Sequence, residues 1–334
     1  MFHYSGWRLV AATSNAGMLG VLAPEDPIRM RESIRSIKSN TNKPFGVNIY
    51  LLPEHLVKNQ PTVPPAVVNK LNEYRKELGL PLNPPTPTED SYKQQVDDQL
   101  QIAIGEKVST VVFTFGIPTL EIIDKLRNAN INILGSATTI SEAVALEEAG
   151  VDAVILQGVE AGGHRTSCNL PEYGQVGLLS LIQLAKKQLK IPFIAAGGIT
   201  SGKAIRLAIE AGADGVSIGS LFLTSEECST PLAHRKALYE ATPESATVLT
   251  RVFTGRPARM FRNRFFNEMD AIWKENGGVE QIPWNFYARD IFGQAARSNN
   301  PDLFIVWANQ SVGLLGGRET QPAAAIIKTL CKEC

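Results

Sequence analysis

Ala153-Val154-Ile155-Leu156-Gln157-Gly158-Val159-Glu160-Ala161-Gly162-Gly163-His164 passes from a short apolar run into a glycine-rich turn that ends on a histidine. An uninterrupted apolar run of this length reads as a strand covered on both faces. The glycines at 158, 162 and 163 let backbone come close to a flat or anionic ligand. Imidazole is the side chain best matched to proton transfer near neutral pH, which makes His164 the candidate centre of the chemistry. A lone histidine in a glycine turn also serves purely structural ends. Membership of a repeating strand-to-loop series separates the two cases.

Such a series surrounds it. Thr110-Val111-Val112-Phe113-Thr114, Ile131-Asn132-Ile133-Leu134, Phe193-Ile194-Ala195-Ala196 and Gly215-Val216-Ser217-Ile218 are further short apolar or β-branched runs, separated by helical patterns. Thr139 and Glu142 stand at capping-box spacing, Val144, Ala145 and Ala149 fall on one helix face, and Gly150 ends that helix. Ser201 caps a second helix carrying Ile205, Ala208 and Ile209, with Gly212 as its stop. Leu19-Gly20-Val21-Leu22 and Phe45-Gly46-Val47-Asn48-Ile49 bring the strands to seven. The predicted architecture is an α/β (β/α)8 TIM barrel lacking its first strand, with a helical insertion or cap. In a barrel the loops after the strands build the active site, and those loops carry Asn48, Gln157 to His164, Gly197-Gly198 and Gly219-Ser220. A doubly wound sheet is the alternative, but its glycine fingerprint belongs after the first strand.

Two segments break the repeat. Residues 51–105 are rich in proline and charge, with Pro53, Pro61, Pro64, Pro65, Pro81, Pro84, Pro85 and Pro87 around one predicted helix near Val67 to Leu78. Residues 225–310 read as mainly helical and contain Trp284, Phe286 and Tyr287. The expected division is a barrel of residues 1–224 and 311–334, with the excursion 51–105, and a cap or substrate region of 225–310. Both segments are either covers for the catalytic mouth or packed appendages without ligand contact. Arg256 and Arg259 are expected to form solvated or structural pairs on a helix and stay outside the candidate site.

Composition narrows the partners. The 334 residues are 44% hydrophobic and 20% charged, enough to bury a large core. Lysine plus arginine equals aspartate plus glutamate at 33 each, which leaves no electrostatic footprint for nucleic acid. No apolar run approaches the ~20 residues of a membrane span, and Met1-Phe2-His3-Tyr4 does not open a signal peptide; a cytoplasmic location is expected. Cys331 and Cys334 lack companions for a zinc site, so no metal is expected.

Ala195-Ala196-Gly197-Gly198-Ile199 and Ser217-Ile218-Gly219-Ser220 each close a strand before a potential helix start, where backbone amides converge on an anion. Glycine also simply permits tight turns. A cofactor with one phosphate and a wide ring, such as FMN, suits the layout. Its phosphate would lie at Gly198 and Ser217 to Ser220, with Asn48 and Gln157 on the polar ring edge. Either amide has a structural alternative in bonding neighbouring backbone.

The run from Val154 to His164, with Ala195 to Ile199 and Gly212-Ala213-Asp214-Gly215, resembles the nitronate monooxygenases, formerly 2-nitropropane dioxygenases. Ser14-Asn15-Ala16-Gly17, Phe45 to Asn48, Ser136-Ala137-Thr138-Thr139, Gly255-Arg256-Pro257-Ala258-Arg259 and Trp307-Ala308-Asn309-Gln310-Ser311 extend the likeness over nearly the whole chain. The Glu-Ala-Gly-Gly-His run is shared with flavin-dependent enoyl-acyl-carrier-protein reductases, and the long excursion after Asn48 favours the monooxygenases. The resemblance implies a TIM barrel binding FMN non-covalently and oxidising alkyl nitronates, such as propionate 3-nitronate, with O2 to carbonyl compounds and nitrite. It implies that His164 binds the nitronate or takes the proton α to a nitro group. Asn48, Gln157, Gly162, Gly197, Gly198, Ser217, Ile218, Gly219 and Ser220 match flavin contacts, with Ser217 and Ser220 in place of a glutamine and a threonine. A homodimer is the one macromolecular partner expected. Family members open with a strand and loop resembling Pro-Ile-Ile-Gln-Ala-Pro-Met-Ala-Gly, whereas this sequence starts just after it, near Ser5-Gly6-Trp7, so weak FMN binding is expected. An enoyl reductase using NAD(P)H and a non-catalytic barrel remain the alternatives.

Overall fold

Seven parallel strands hydrogen-bond in strict chain order: β1 (Gly20–Leu22), β2 (Phe45–Tyr50), β3 (Thr110–Thr114), β4 (Asn132–Ala137), β5 (Ala153–Gln157), β7 (Phe193–Ala196) and β8 (Gly215–Ser217). This is a computed structural model, and it describes residues 4–51, 64–82, 89–168, 174–245, 247–275 and 284–334. A doubly wound sheet reverses its strand order at a switch point, and this one does not, which places it in the (β/α)8 class. β3 is buried throughout, as expected for a strand covered on both faces. All seven predicted strands are present, two with the predicted ends and five displaced at an end by one to three residues.

The helices between them follow the sequence in their caps more closely than in their faces. Thr139 accepts a hydrogen bond from the Glu142 amide, and Gly150 is left-handed at φ 93°. Glu142 does not return the capping bond to Thr139, because its carboxylate is drawn inward to Thr138, Ser167 and Cys168. The buried side of this helix is therefore Glu142, Ala143 and Leu146, not Val144, Ala145 and Ala149. Ser201 caps Gly202–Glu210 as expected, with Ala208 buried and Ile209 exposed.

Among the described residues β1 and β8 do not pair, so the wall stays open by one strand position. Tyr4 and Ser5 cross that opening. The Ser5 carbonyl accepts from the Ala23 amide at 3.0 Å and its hydroxyl donates to the Val21 carbonyl at 2.7 Å. The Tyr4 carbonyl accepts from the Ser229 amide and the Cys228 thiol, both at 3.3 Å. One short segment thus joins the chain beside β1 to the stretch that follows β8.

A second core lies beside the barrel. The proline-rich excursion contributes helix Pro65–Glu77, close to the prediction, and a further helix Glu89–Gly105 that the proline pattern did not suggest. Val67, Leu71 and Tyr74 of the first helix pack with Phe253, Phe265, Ile291 and Phe292. Residues 225–310 are not uniformly helical: β9 (Thr247–Thr250) and β10 (Ala258–Phe261) pair antiparallel within them. Pro53, Pro61, Pro84, Pro85 and Pro87 lie outside the described residues, as do the side chains of Trp284, Phe286 and Tyr287. No helix of the described residues is long and apolar enough to cross a membrane.

Arg75, 1% exposed, ties the excursion to the second core through Asp290, with Nε at 2.9 Å and a second nitrogen at 3.3 Å from its carboxylate. Removing Asp290 takes an ionic partner from a guanidinium held away from water, leaving it the Asn72 side chain among its neutral partners. Asp290→Ala should lower unfolding free energy by about 2–3 kcal/mol in a urea titration, whereas Asp290→Asn, which keeps an acceptor, should lose less. An unchanged midpoint in Asp290→Ala would show that the pair does not hold the excursion in place.

Candidate active site

Strand β6 (Gly163–His164) leaves the barrel wall and pairs antiparallel with β10, setting His164 opposite Ala258 and Gly163 opposite Arg259. The seam continues where the Arg165 amide donates to the Pro257 carbonyl at 2.8 Å. Further along the same edge of β10, Met260 bridges to Trp307. Three distant pieces of sequence, residues 163–165, 254–260 and 307–311, therefore meet at the strand-end rim. Arg259 lies in a strand and Arg256 in the turn before it, so the expectation of helical surface arginines is corrected. Hydrogen bonding along β10 sets the local structure there, and periodicity alone does not reveal it.

The His164 ring is part-buried. Its Nε2 lies 2.8 Å from the Thr254 hydroxyl, and Phe115 and Trp307 flank it at ring-centroid distances of 5.7 and 5.1 Å. Burial, reinforced by the Arg256 charge, pushes its pKa down to about 3, so the imidazole is neutral across the physiological range. Arg256 lies over the Phe115 ring at 4.2 Å and donates to the Ser167 carbonyl at 2.8 Å. Phe115 itself has φ 74°, a left-handed backbone that a bulky residue adopts only when its surroundings impose it. It stands immediately after β3, its ring edge-on to Tyr50 at 4.7 Å. Nothing in Thr114-Phe115-Gly116 marks this residue in the sequence.

The turn behind β5 is fastened from within. Arg165, fully buried, donates to the Gln157 side-chain oxygen and the Gly158 carbonyl through one nitrogen, and to the Gln157 and Gly174 carbonyls through the other, at 2.6–2.9 Å. Burial lowers its pKa to about 10, still high enough to keep it charged at neutral pH. Gln157 also accepts from the Thr166 amide and donates to the His164 carbonyl. Its amide thus braces the histidine's own backbone, the structural alternative raised for it above. Glu160 receives the Leu178 amide at the start of helix Leu178–Gln188, and Glu142 receives Ser167 and Cys168.

The glycine turns gather around this loop. A methyl on Gly162 would stand 2.7 Å from Ala308 and Asn309 backbone atoms and 2.9 Å from the Ser220 hydroxyl, so Gly162, Ser220 and the 307–311 tail are in direct apposition. Gly197 lies against Gly158 and Ala161, and Gly198 against Glu160 and Ser311. The Asn309 amide donates to the Ser220 hydroxyl at 3.2 Å, and the Gln310 amide to the Glu160 carbonyl at 2.9 Å. Asn48, on β2, accepts from the Thr114 hydroxyl at 3.0 Å, which leaves its amide nitrogen as a donor at the rim. Ser217 is exposed at the end of β8, followed by Ile218 and Gly219.

Two features mark where a ligand fits. The Asn309 side-chain oxygen is buried with no hydrogen-bond partner, although Asn309 is only 3% exposed. Beside Gly163 and Gly219 the backbone borders open space, since a methyl on either would meet nothing within 4 Å. Arg165, Arg256 and Arg259 oppose Glu142 and Glu160 around the rim, a balance that favours an anionic guest. No cluster of metal-ligating side chains occurs among the described residues. Asn309 and Thr254 were missed as site residues: a polar residue's lack of partners, or its distance from a histidine 90 positions away, exists only in three dimensions.

The family model described as nitronate monooxygenase matches residues 1–333. A probable nitronate monooxygenase of Staphylococcus aureus strain Newman is 33% identical over 332 residues, 98% of this chain and 90% of that protein. A nitroalkane oxidase from Streptomyces ansochromogenes superposes with a TM-score of 0.87 at 33% identity, over 99% of this chain and 92% of that one. FabK from Thermotoga maritima superposes with a TM-score of 0.74 at 27% identity, over 100% of this chain and 90% of that one. Matched by that family model and by these relatives along almost its entire length, the chain is an oxidoreductase of the nitronate monooxygenase family.

Proposed function

We propose that the protein is an FMN-dependent nitronate monooxygenase that converts alkyl nitronates, such as propionate 3-nitronate, with O2 to carbonyl compounds and nitrite. The observation that supports it most is the apposition of Gly162, Ser220 and Asn309 beside a neutral His164 and the Arg256 cation. The residues present fit FMN. Backbone at Gly198, Gly219 and Ser220 would hold its phosphate, and Asn48 and Asn309 would supply a donor and an acceptor for its polar groups. When bound, FMN would supply the redox chemistry between the nitronate and O2.

The chain's own residues do the rest. Arg256 attracts and orients the substrate's negative charge, with Phe115 beneath the guanidinium fixing its plane. Phe115 and Trp307 exclude water from the His164 ring, which strengthens every charge interaction there. His164 Nδ1, the ring nitrogen turned away from Thr254, takes the α-proton when a neutral nitroalkane is offered. With its pKa near 3 in the free protein, this imidazole is a weak base. The site is better matched to an anion already formed than to one it must make.

A second activity, reduction of an enoyl thioester by NAD(P)H, draws weight from the FabK likeness at 27% identity. Flavin loading followed by one aerobic and one anaerobic assay separates the possibilities. FMN-loaded protein given propionate 3-nitronate should consume O2 and release nitrite. Flavin reduction by NAD(P)H under anaerobic conditions, without nitrite release from the nitronate, would assign the reductase activity instead. Failure to bind any flavin would leave a non-catalytic barrel.

His164→Ala should retain FMN yet lose about 100-fold or more in turnover of a neutral nitroalkane, the usual scale of a missing general base, and unchanged turnover would remove the histidine from the mechanism. Gly162→Ala should weaken FMN retention in an equilibrium fluorescence titration, because the added methyl must push Asn309 or Ser220 aside. Wild-type affinity in that variant would show that the apposition is unrelated to cofactor binding.

A further inference from the structure

Thr254 has one hydroxyl proton and two neighbours that compete for its oxygen. His164 Nε2 is 2.8 Å away and the Arg256 carbonyl 3.2 Å away. The carbonyl can only accept, so the bond to it consumes the hydroxyl proton. The oxygen that remains facing Nε2 then offers lone pairs alone, and a hydrogen bond forms there only if Nε2 carries a proton. In the opposite arrangement the hydroxyl donates to a bare Nε2 and forfeits the Arg256 carbonyl. Two hydrogen bonds stand against one, a preference of about tenfold in population. Thr254 is 6% exposed, so water does not readily replace either bond.

The turn keeps the hydroxyl in place. The Gly255 amide donates to the Arg251 carbonyl at 2.8 Å and Gly255 adopts φ 73°, a conformation that suits glycine and bends the chain so that the Arg256 carbonyl returns toward the Thr254 side chain. His164 is held independently, by its backbone pairing with Ala258 and by the Gln157 amide on its carbonyl. Both partners of the hydrogen bond are thus anchored by backbone rather than by each other.

We infer that Thr254 is a positioning residue that fixes the Nε2–H tautomer of His164 and so keeps the basic lone pair on Nδ1. This rests on the proposal that His164 handles the α-proton of a neutral nitroalkane. In that step the C–H bond breaks, the proton passes to Nδ1, and the electron pair remains on the substrate as the nitronate anion. Nε2 keeps its proton and its bond to Thr254 throughout, so the ring does not turn as it becomes charged. A nitronate supplied as the anion requires no such transfer. Thr254 therefore governs the use of neutral substrates and not of preformed anions.

The tautomer is read directly by long-range proton–nitrogen NMR on protein labelled at the histidine ring nitrogens, with His164 assigned by the loss of its signal in His164→Gln. The wild type should show a protonated Nε2 and a pyridine-like Nδ1. A protonated Nδ1 would overturn the assignment whatever the enzyme turns over, which keeps this outcome distinct from failure of the proposed activity. In kinetics, Thr254→Val should lower kcat/KM for a neutral nitroalkane by about tenfold or more while turnover of the corresponding nitronate stays within about twofold, and Thr254→Ser should restore the first. Equal losses on both substrates, or none on either, would show that Thr254 only packs. If Thr254→Val does not fold, the wild-type spectrum still decides.

Discussion

The seam between β6 and β10 is the constraint on which the site depends. Two residues from the barrel's glycine turn pair with two from the second core, Gly163 with Arg259 and His164 with Ala258. Without it, the histidine would end a loop beside a seven-stranded wall and Thr254, Arg256 and Trp307 would belong to another part of the molecule. Two β-ladder residues are too few to hold such a junction alone. The Arg165 amide on Pro257, the Phe261 amide on Val306 and the Gln310 amide on Glu160 extend it into a continuous run of backbone bonds.

Charge placement follows from the same junction. Burying a guanidinium costs several kcal/mol, and Arg165 offsets that cost with four bonds to oxygen acceptors, each strengthened by the charge. No carboxylate touches it directly among those bonds. Its positive field, with those of Arg256 and Arg259, therefore remains available at the rim and is only partly met by Glu142 and Glu160, whose oxygens are engaged by backbone amides and hydroxyls. A neutral, depressed histidine at this position is a consequence of that field together with burial. An anion entering the site would reverse the trend and raise the histidine's proton affinity at the moment a proton has to be held.

The barrel was legible because its signals are local. Strands such as Thr110–Thr114 are short β-branched runs, and Gly150 and Ser201 punctuate helices where chemistry demands. Glu142 shows where local reading stops: capping-box spacing was present, but the carboxylate found stronger partners across the loop at Ser167 and Cys168. The excursion illustrates the opposite failure, since prolines obscured the helix Glu89–Gly105. His164, Gly162 and Ser220 stood out through residue type and turn position. Phe115, Thr254 and Asn309 did not, because backbone strain, a hydroxyl placed between an imidazole and a carbonyl and a partnerless buried oxygen arise only when distant segments meet.

A crystal structure of the protein with FMN would show whether these dispersed turns converge on one cofactor, as proposed. The phosphate should lie against the backbone of Gly198 and Gly219 to Ser220, with the flavin ring in contact with His164 and reaching Asn48. Density for the flavin at any other location, or a ring separated from His164 by the breadth of the barrel, would contradict the proposal.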